Sequence, residues 1–291
     1  MSLNRPVYRN FDNAALDAEY NARESAVSFD AEYALYVAES ESVKREYPIL
    51  PDIVYDTQSG ETLDFYPAAP DAPIFLWIHG GYWRASSKDD NAFVVPGLKA
   101  RGMAVAVMNY TLSPAAKLDE IVRQVRSAVA FLHANRPRFS TSAAPLAVGG
   151  SSAGGHLVGM LLAEGWHRDF DLPDDAIDVA LALSGLFDIE PLRLTHINSW
   201  LDLDEGAIAR NSPMRHVPKR SAVNLLASVG GLETSEFRRQ TSDYVAAWGA
   251  AGHPVTSVDM PRHNHFNIAL SLREPDGVLA RTVAEAIALR R

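Results

Sequence analysis

The stretch that decides the fold is Ala147–Leu157, with the sequence AVGGSSAGGHL. It contains the pattern G-x-S-x-G, with an apolar run before it and an apolar helical stretch after it. In this pattern the serine occupies a sharp turn between a strand and a helix, and the residues two before and two after it come too close to carry side chains. Gly150 and Gly154 meet that requirement, so the turn is predicted to lift the hydroxyl of Ser152, the candidate nucleophile, clear of the sheet. The alternative is a turn that binds phosphate, but His156 stands where a phosphate-binding loop would need its lysine.

Short apolar runs alternate with helical stretches on both sides of this turn. Runs of this kind are typical of strands covered on both faces, and the alternation is typical of a parallel sheet. The predicted strands are a pair within Tyr55–Tyr66, then Ile74–Ile78, Met103–Met108, Leu146–Val148, Val179–Leu183, Asn224–Val229 and Val255–Met260. The predicted helices between them are Ala92–Arg101, Leu118–Asn135, His156–Gly165, Phe237–Ala251 and Val278–Arg290. The alternation predicts a mostly parallel central sheet with helices on both faces, and together with the G-x-S-x-G turn at 150–154 it predicts an α/β-hydrolase fold.

Two parts of the chain depart from this alternation. Residues 1–50 are rich in Ala, Glu and Tyr, and their apolar spacing predicts an N-terminal helical segment with helices over Ala14–Glu24 and Asp30–Tyr47. Residues 187–220 hold several prolines and no long apolar period, which predicts a small cap inserted over one end of the sheet. Because no linker or repeat interrupts the chain, residues 1–291 are expected to form a single domain.

A second signal is the loop His79–Trp83, with the sequence HGGYW, which directly follows a predicted strand. An oxyanion hole needs backbone N–H groups exposed at the end of a strand, and adjacent glycines leave room there for a ligand. The loop precedes Ser152 by about seventy residues, which is the chain order of α/β-hydrolases. We expect the N–H groups of Gly81, Tyr82 and Ala153 to bind an oxyanion. The histidine of the loop is expected to brace it rather than to act as a base.

A serine nucleophile needs a base, and the base needs a carboxylate that orients it. In this fold class the acid and then the histidine follow the serine, each at the C-terminal end of a strand. Glu233 follows the predicted strand Asn224–Val229, and His265 follows the predicted strand Val255–Met260. They are therefore the candidate acid and base. The alternatives at these junctions are Glu236, Asp259 and Asp188 for the acid and His263 for the base.

Composition argues against several other classes of function. The chain has 27 Lys and Arg against 36 Asp and Glu, a net charge of −9, and no basic stripe, so nucleic acid and anionic membranes are not expected partners. No apolar run approaches the roughly 20 residues that span a bilayer. The absence of cysteine excludes thiolate nucleophiles, disulfides and cysteine-ligated zinc. The N-terminus lacks an apolar signal core, which predicts a cytoplasmic location.

No metal or other cofactor is expected, since His263 and His265 lack a third cluster of ligands. The expected partner is a small-molecule acyl amide or ester substrate. The sequence leaves open whether the protein forms a homodimer.

Several segments together resemble the α/β-hydrolase kynurenine formamidases (arylformamidases), relatives of the hormone-sensitive-lipase-like esterases. They are HGGYW at 79–83, N-Y-x-L-x-P at 109–114, the nucleophile segment at 150–157, E-x-S-E-F-x-R-Q at 233–240, His265-Phe266 and L-D-x-Y-P at 63–67. Two positions depart from the family pattern. Glu233 stands where these formamidases carry Asp, and Asn264 replaces the Asp before the base histidine.

The resemblance implies a serine hydrolase that cleaves a small acyl group from an aryl amide, N-formylkynurenine, to give kynurenine and formate. Ser152 would be the nucleophile, His265 the base and Glu233 the orienting acid. Trp83 and His156 are candidate substrate contacts, and an aromatic side chain beside the oxyanion loop would stack on an aryl leaving group. The leading alternative is a carboxylesterase that acts on short-chain acyl esters with the same residues. A non-catalytic binding module and a metal-dependent amidohydrolase are the remaining alternatives.

Overall fold

A computed structural model of the protein describes residues 5–141 and 143–290, and its central feature is one eight-stranded sheet. The strands, numbered in chain order, are β1 Leu50–Val54, β2 Thr62–Tyr66, β3 Ile74–Ile78, β4 Ala104–Met108, β5 Leu146–Ser151, β6 Val179–Leu183, β7 Asn224–Ser228 and β8 Val255–Ser257. Their order across the sheet is β1-β2-β4-β3-β5-β6-β7-β8. β2 is antiparallel to both of its neighbours, and all other pairs are parallel. The predicted fold class is confirmed.

Helices fill the connections between the parallel strands, as the alternation in the sequence predicts. The α-helices are α1 Asn13–Glu19, α2 Phe29–Glu46, α3 Val95–Ala100, α4 Leu118–Ala134, α5 Arg136–Phe139, α6 Ala153–Leu161, α7 Asn198–Leu201, α8 Glu205–Asn211, α9 Ser235–Ala250, α10 Asn267–Leu270 and α11 Val278–Ala288. Short 3₁₀ turns lie at Ala22–Ser25, Lys88–Asp90, Ala92–Val94, Trp166–Phe170, Glu190–Leu194, Pro213–His216 and Ser271–Arg273. Among the residues described, no helix combines the length and the apolar character needed to cross a bilayer.

The sheet separates two hydrophobic cores because its parallel strands are apolar on both faces. All five residues of β3 are buried, and they alternate between the two cores. Leu76 belongs to the core that includes buried residues of α4, α6 and α9, and Trp77 belongs to the core that includes those of α3 and α11. This period of two is what a strand buried on both faces requires. The arrangement leaves the C-terminal ends of the strands free to carry a site.

Both edges of the sheet differ from the sequence prediction. Both strands of the antiparallel pair were expected within Tyr55–Tyr66, but β1 ends at Val54 and only β2 lies in that range. Pro51 is tolerated in β1 because this strand forms the edge of the sheet. At the other edge β8 stops at Ser257, and the predicted strand continues only as an isolated bridge at Met260.

The two segments outside the alternation consist mainly of helices and 3₁₀ turns. The predicted helix Ala14–Glu24 is interrupted after α1, because the Asn21 side chain accepts a hydrogen bond from the Arg23 N–H and starts a 3₁₀ turn. The second predicted helix is present as α2. Residues 187–220 contain α7, α8 and two 3₁₀ turns. Their role as a cap and the division into one domain stay predictions.

A buried ion pair joins the antiparallel edge of the sheet to the loop after β3. The Lys88 Nζ lies 2.9 Å from Asp64 Oδ1 and 2.9 Å from Asp52 Oδ1. Burial acts to lower the pKa of Lys88, but the hydrogen bonds that its ammonium donates to the two aspartates outweigh burial and raise that pKa. Since Asp64 is also buried, each charge is tolerable only because the other is present.

Replacing Lys88 by Met should lower the free energy of unfolding by about 3 kcal/mol, because Asp64 would stay buried without its cation. Chemical denaturation measures this change. Adding Asp64→Leu to Lys88→Met should recover part of the loss, since it removes the uncompensated charge. The matched control is Asp52→Asn, which should cost less than about 1 kcal/mol because that carboxylate is exposed. If the Lys88 and Asp64 substitutions changed the free energy of unfolding by strictly additive amounts, the two side chains would not form a coupled ion pair.

Candidate active site

Ser152 lies in the turn between β5 and α6 and has a strained backbone. Its φ of 58° and ψ of −117° form a conformation that residues with a side chain rarely adopt. A Cβ on Gly150 would lie 2.5 Å from the Gly154 carbonyl oxygen, and a Cβ on Gly154 would overlap the carbonyl oxygen of Ile78. Both positions therefore require glycine, as predicted, but the atoms that exclude a side chain belong to the backbone of Gly154 and of β3 rather than to Ser152.

The HGGYW loop packs directly against this turn. A Cβ on Gly80 would lie 2.9 Å from a carbonyl oxygen of the nucleophile turn, so only glycine fits there. Gly81, Tyr82 and Trp83 follow with φ values of 100°, 50° and 55°. Within the described residues, the backbone N–H groups of Gly81 and Tyr82 donate no hydrogen bond. The N–H of Ala153 is the first of α6, where N–H groups have no partner inside the helix and the helix dipole is positive. Gly81 and Tyr82 line the same cavity as Ser152, whereas the buried Ala153 does not line it.

His79 braces this loop from below. Its ring stacks on Tyr110, with centroids 4.2 Å apart, and its Nδ1–H donates to the Gly80 carbonyl oxygen at 2.8 Å. The Tyr110 hydroxyl in turn donates to the His79 carbonyl oxygen at 3.1 Å. Burial lowers the pKa of His79 to about 4, so the ring is neutral at pH 7 and packs as an uncharged group.

His265 and Glu233 form a buried hydrogen-bonded pair. The His265 Nδ1 lies 2.6 Å from Glu233 Oε2. Because a carboxylate accepts, Nδ1 carries the hydrogen and Nε2 is the basic nitrogen. Phe237 packs against the imidazole with ring centroids 4.5 Å apart, which further limits rotation of the ring. The structure thus brings together two residues that are 32 positions apart in the chain.

Two further hydrogen bonds fix the Glu233 carboxylate. Its Oε1 accepts from the Ser184 hydroxyl at 2.6 Å and from the Gly230 backbone N–H at 2.7 Å. Ser184 directly follows β6 and has a φ of 50°. The sequence analysis missed this residue. The signal was available, because a small polar side chain at the end of a predicted strand is the same kind of feature that identified Glu233.

Ser152 and His265 both line one cavity of about 770 Å³. Among the described residues no hydrogen bond joins their side chains, and such contacts are often long in a free enzyme and shorten when substrate binds. Other parts of the wall come from the N-terminal segment and from the predicted cap. The residues involved include Tyr20, Arg23, Phe29, Tyr36, His196 and Trp200. The N-terminal helices, whose position the sequence left open, therefore line this cavity.

Trp83 and His156 are placed differently from the other predicted site residues. Both are fully buried and neither lines the cavity. Their rings pack edge to face with centroids 4.8 Å apart, and the His156 Nε2–H donates to the Asn211 carbonyl oxygen at 2.7 Å. Burial lowers the pKa of His156 to about 4. Their placement does not support direct contact with substrate, since α6 turns His156 away from the nucleophile and toward the predicted cap.

The alternative acid Glu236 has another set of partners. Its carboxylate accepts from the Tyr20 hydroxyl at 2.8 Å and from the Arg239 guanidinium at 2.7 Å. Burial acts to raise the pKa of Glu236, but the hydrogen bonds from Arg239 and Tyr20 outweigh it and lower that pKa. Within the part of the chain that the structure describes, no hydrogen bond connects His265 with the remaining alternatives Asp188, Asp259 and His263. In residues 5–141 and 143–290, no group of three or more His, Asp or Glu is arranged to hold a metal ion.

Comparison with known proteins shows the family of the chain. Residues 63–181 match the protein family described as BD-FAE. The chain is 31% identical over 245 residues to a kynurenine formamidase of Danio rerio, and the alignment covers 82% of each chain. The chain belongs to the kynurenine formamidase family. It is therefore an α/β-hydrolase related to kynurenine formamidases and esterases.

Solved structures show the same fold. A candidate thioesterase from Silicibacter sp. TM1040 superimposes with a TM-score of 0.79 at 25% identity, over 91% of this chain and 97% of the other. An esterase of the bacterial hormone-sensitive lipase family superimposes with a TM-score of 0.65 at 22% identity, over 95% and 97% of the two chains. The relationship extends over nearly the whole length of this family member.

The structure also accounts for Asn264, one of the two departures from the formamidase pattern. Its Oδ1 accepts from the backbone N–H groups of Phe266 and Asn267, each at 2.9 Å. Its Nδ2 donates to Glu32 Oε1 of α2 at 2.9 Å. An aspartate at this position could make the first two contacts but would place a second carboxylate beside Glu32. Asn264 thus links the loop of His265 to the N-terminal segment.

Replacing Asn264 by Asp should lower the free energy of unfolding by about 1–2 kcal/mol at pH 7, through the lost hydrogen bond and the new like-charge contact. Repulsion raises the pKa of both carboxylates in the folded state, so the loss should shrink as pH falls through those raised values and one group takes up a proton. Denaturation at pH 7 and pH 4 measures the effect. Adding Glu32→Gln should restore stability at pH 7, and equal stability of Asn264→Asp and wild type there would contradict the contact.

Proposed function

We propose that this chain is a serine hydrolase in which Ser152 is the nucleophile, His265 the base and Glu233 the acid that orients it. The observation that carries the proposal is the 2.6 Å hydrogen bond between His265 and Glu233, on an imidazole that lines the same cavity as Ser152. The carboxylate fixes the tautomer that leaves Nε2 basic, and it stabilises the imidazolium that forms when the base takes a proton.

The reaction proceeds in two stages. The Ser152 Oγ bonds to the acyl carbon while its proton passes to His265 Nε2, and the carbonyl oxygen becomes an oxyanion. The bond to the leaving group then breaks, and the imidazolium gives its proton to the departing nitrogen or oxygen. Water adds to the acyl-enzyme while the imidazole takes one of its protons. The bond between Ser152 Oγ and the acyl carbon then breaks, the imidazolium returns the proton to Oγ, and the acid product leaves. The N–H groups of Gly81, Tyr82 and Ala153 would hold the oxyanion in both stages.

We infer that the substrate is an aryl amide with a small acyl group, and specifically that N-formylkynurenine gives kynurenine and formate. The kynurenine formamidase of Danio rerio supports this substrate through its 31% identity over 245 residues. The cavity supports it through its aromatic wall, since an aryl group gains by stacking on such side chains. The aromatic residues that line it are Tyr20, Phe29, Tyr33, Tyr36, Tyr82, Trp200 and Phe266. A carboxylesterase for short-chain acyl esters would use the same serine, histidine and glutamate.

Substituting each proposed catalytic residue tests the first part of this proposal. Ser152→Ala should remove labelling by a fluorophosphonate and nearly all turnover. Glu233→Gln should lower kcat by roughly ten-thousandfold, because the amide no longer holds the correct tautomer. His265→Gln should lower kcat at least as much, whereas the matched control His263→Gln should keep most of it. Full labelling of Ser152→Ala, or equal losses in the two histidine variants, would overturn the assignment.

A comparison of two substrates tests the second part. The wild-type protein should show a kcat/KM for N-formylkynurenine that exceeds its value for 4-nitrophenyl acetate by tenfold or more. The criterion is strict because the activated ester is intrinsically the more reactive compound. Activity should survive a chelator. If ester turnover instead exceeds formamide turnover by orders of magnitude, the protein is a carboxylesterase.

A further inference from the structure

Two arginines line the cavity, and no aspartate or glutamate lines it among the residues that the structure describes. Arg23 comes from the 3₁₀ turn between α1 and α2, and Arg84 comes from the loop that carries the proposed oxyanion N–H groups. Neither guanidinium forms an ion pair within the described part of the chain. The cavity wall therefore carries positive charge that the protein itself leaves uncompensated.

Each guanidinium is held over an aromatic ring. The Arg23 Cζ lies 4.0 Å from the centroid of the Phe29 ring, and the Arg84 Cζ lies 4.6 Å from the centroid of the Trp200 ring. A planar guanidinium stacked in this way keeps its N–H donors free at its edge, where they can bind a carboxylate with two parallel hydrogen bonds. Stacking also reduces the rotamer entropy that ligand binding would otherwise cost.

Both rings are themselves fixed to the loops that carry the proposed chemistry. The Trp200 Nε1–H donates to the Tyr82 carbonyl oxygen at 3.2 Å, and the Arg84 backbone N–H donates to the Gly81 carbonyl oxygen at 3.0 Å. Phe29 packs against Phe266, the residue after the proposed base, with ring centroids 5.0 Å apart. Arg84 and its ring are therefore held to the HGGYW loop. The ring under Arg23 is held to the loop that carries His265.

Two histidines also line the cavity within the described residues, and each already has a carboxylate partner. His265 pairs with Glu233. His196 pairs with Asp17 of α1. Its Nδ1 lies 2.9 Å from Asp17 Oδ1, and its backbone N–H donates to the same oxygen at 2.8 Å. Asp17 is therefore committed to His196. Among the side chains of the cavity wall that the structure describes, the two stacked guanidinium groups are therefore the cations that lack an anionic partner.

We propose that Arg23 and Arg84 form a carboxylate-binding subsite, so that the preferred substrates are aryl amides or esters whose leaving group bears a carboxylate. The charge must lie on the leaving group if the acyl group is as small as formyl or acetyl. This inference rests on the proposed serine hydrolase function and adds to it the two residues that select the carboxylate of the leaving group. It requires neither that the acyl group be formyl nor that the bond be an amide.

The test compares binding of 4-acetoxybenzoate and 4-acetoxybenzamide, which differ only in a carboxylate against a neutral amide. Calorimetric titration of Ser152→Ala protein measures binding without turnover. The acid should bind about tenfold more tightly than the amide, the effect of one charge-assisted hydrogen-bond pair. Raising the salt concentration should weaken binding of the acid and leave that of the amide nearly constant.

In the Ser152→Ala protein, adding Arg84→Met or Arg23→Met should reduce the ratio of the affinity for the acid to the affinity for the amide. Adding both substitutions should bring this ratio to about one. Methionine keeps an apolar stem against the ring, and binding of the amide in the same variant reports whether the cavity is intact. The matched control is Arg138→Met, since Arg138 is exposed and stacked on Phe139 but does not line the cavity. Its ratio should equal that of the parent protein.

Equal binding of the two compounds, or a ratio that persists in the double variant, would overturn the subsite. A wild-type protein that binds the acid more tightly but hydrolyses neither compound nor N-formylkynurenine would retain the subsite and refute the proposed hydrolase function. In an active wild-type enzyme, Arg84→Met should raise KM for N-formylkynurenine by about tenfold with a much smaller change in kcat, because it removes binding made equally in the ground state and the transition state.

Discussion

The rest of the site depends on the carboxylate of Glu233, because it joins the ends of three neighbouring strands. Ser184 follows β6, Gly230 follows β7, and His265 lies in the loop beyond β8; each donates a hydrogen bond to this carboxylate. The C-terminal ends of parallel strands meet at one edge of the sheet, so the strand order itself brings the three donors together. A buried carboxylate would be costly without such donors. With them it is fixed in place, and it fixes the imidazole in turn.

The N-terminal segment holds the same loops from the outside. The Glu19 carboxylate accepts from the Ser235 hydroxyl and from the Glu236 N–H, at 2.8 Å and 2.9 Å, and so caps the helix that begins two residues after Glu233. On the other side the His265 N–H donates to the Ser25 hydroxyl at 3.1 Å. The segment before the first strand is therefore part of the architecture of the site. Its removal would free both the acid loop and the base loop.

The sequence predicted those features that local pattern determines. The bounds of β3 and β6 agree with the apolar runs, and the nucleophile turn follows from two glycines at fixed spacing. The contact between Ser184 and Glu233 spans 49 positions, and that between Tyr20 and Glu236 spans 216, distances over which a single sequence carries no periodic signal. His156 shows another limit of prediction from the sequence. Its position beside the nucleophile was evident, but the direction of its side chain depends on the helix that carries it.

The carboxylate proposed to orient the base lies outside the cavity, and the charged side chains proposed to bind substrate lie in the cavity wall and are positive. Glu233 lies behind the imidazole and does not line the cavity, whereas the guanidinium groups of Arg23 and Arg84 do. The whole chain has a net charge of −9, which would repel an anionic substrate at long range. Salt screens that repulsion beyond about 8 Å under physiological conditions, while stacked guanidinium groups act within hydrogen-bond distance. Selection for an anion can therefore be local to the cavity of an acidic protein, because the acid that serves the histidine is kept out of it.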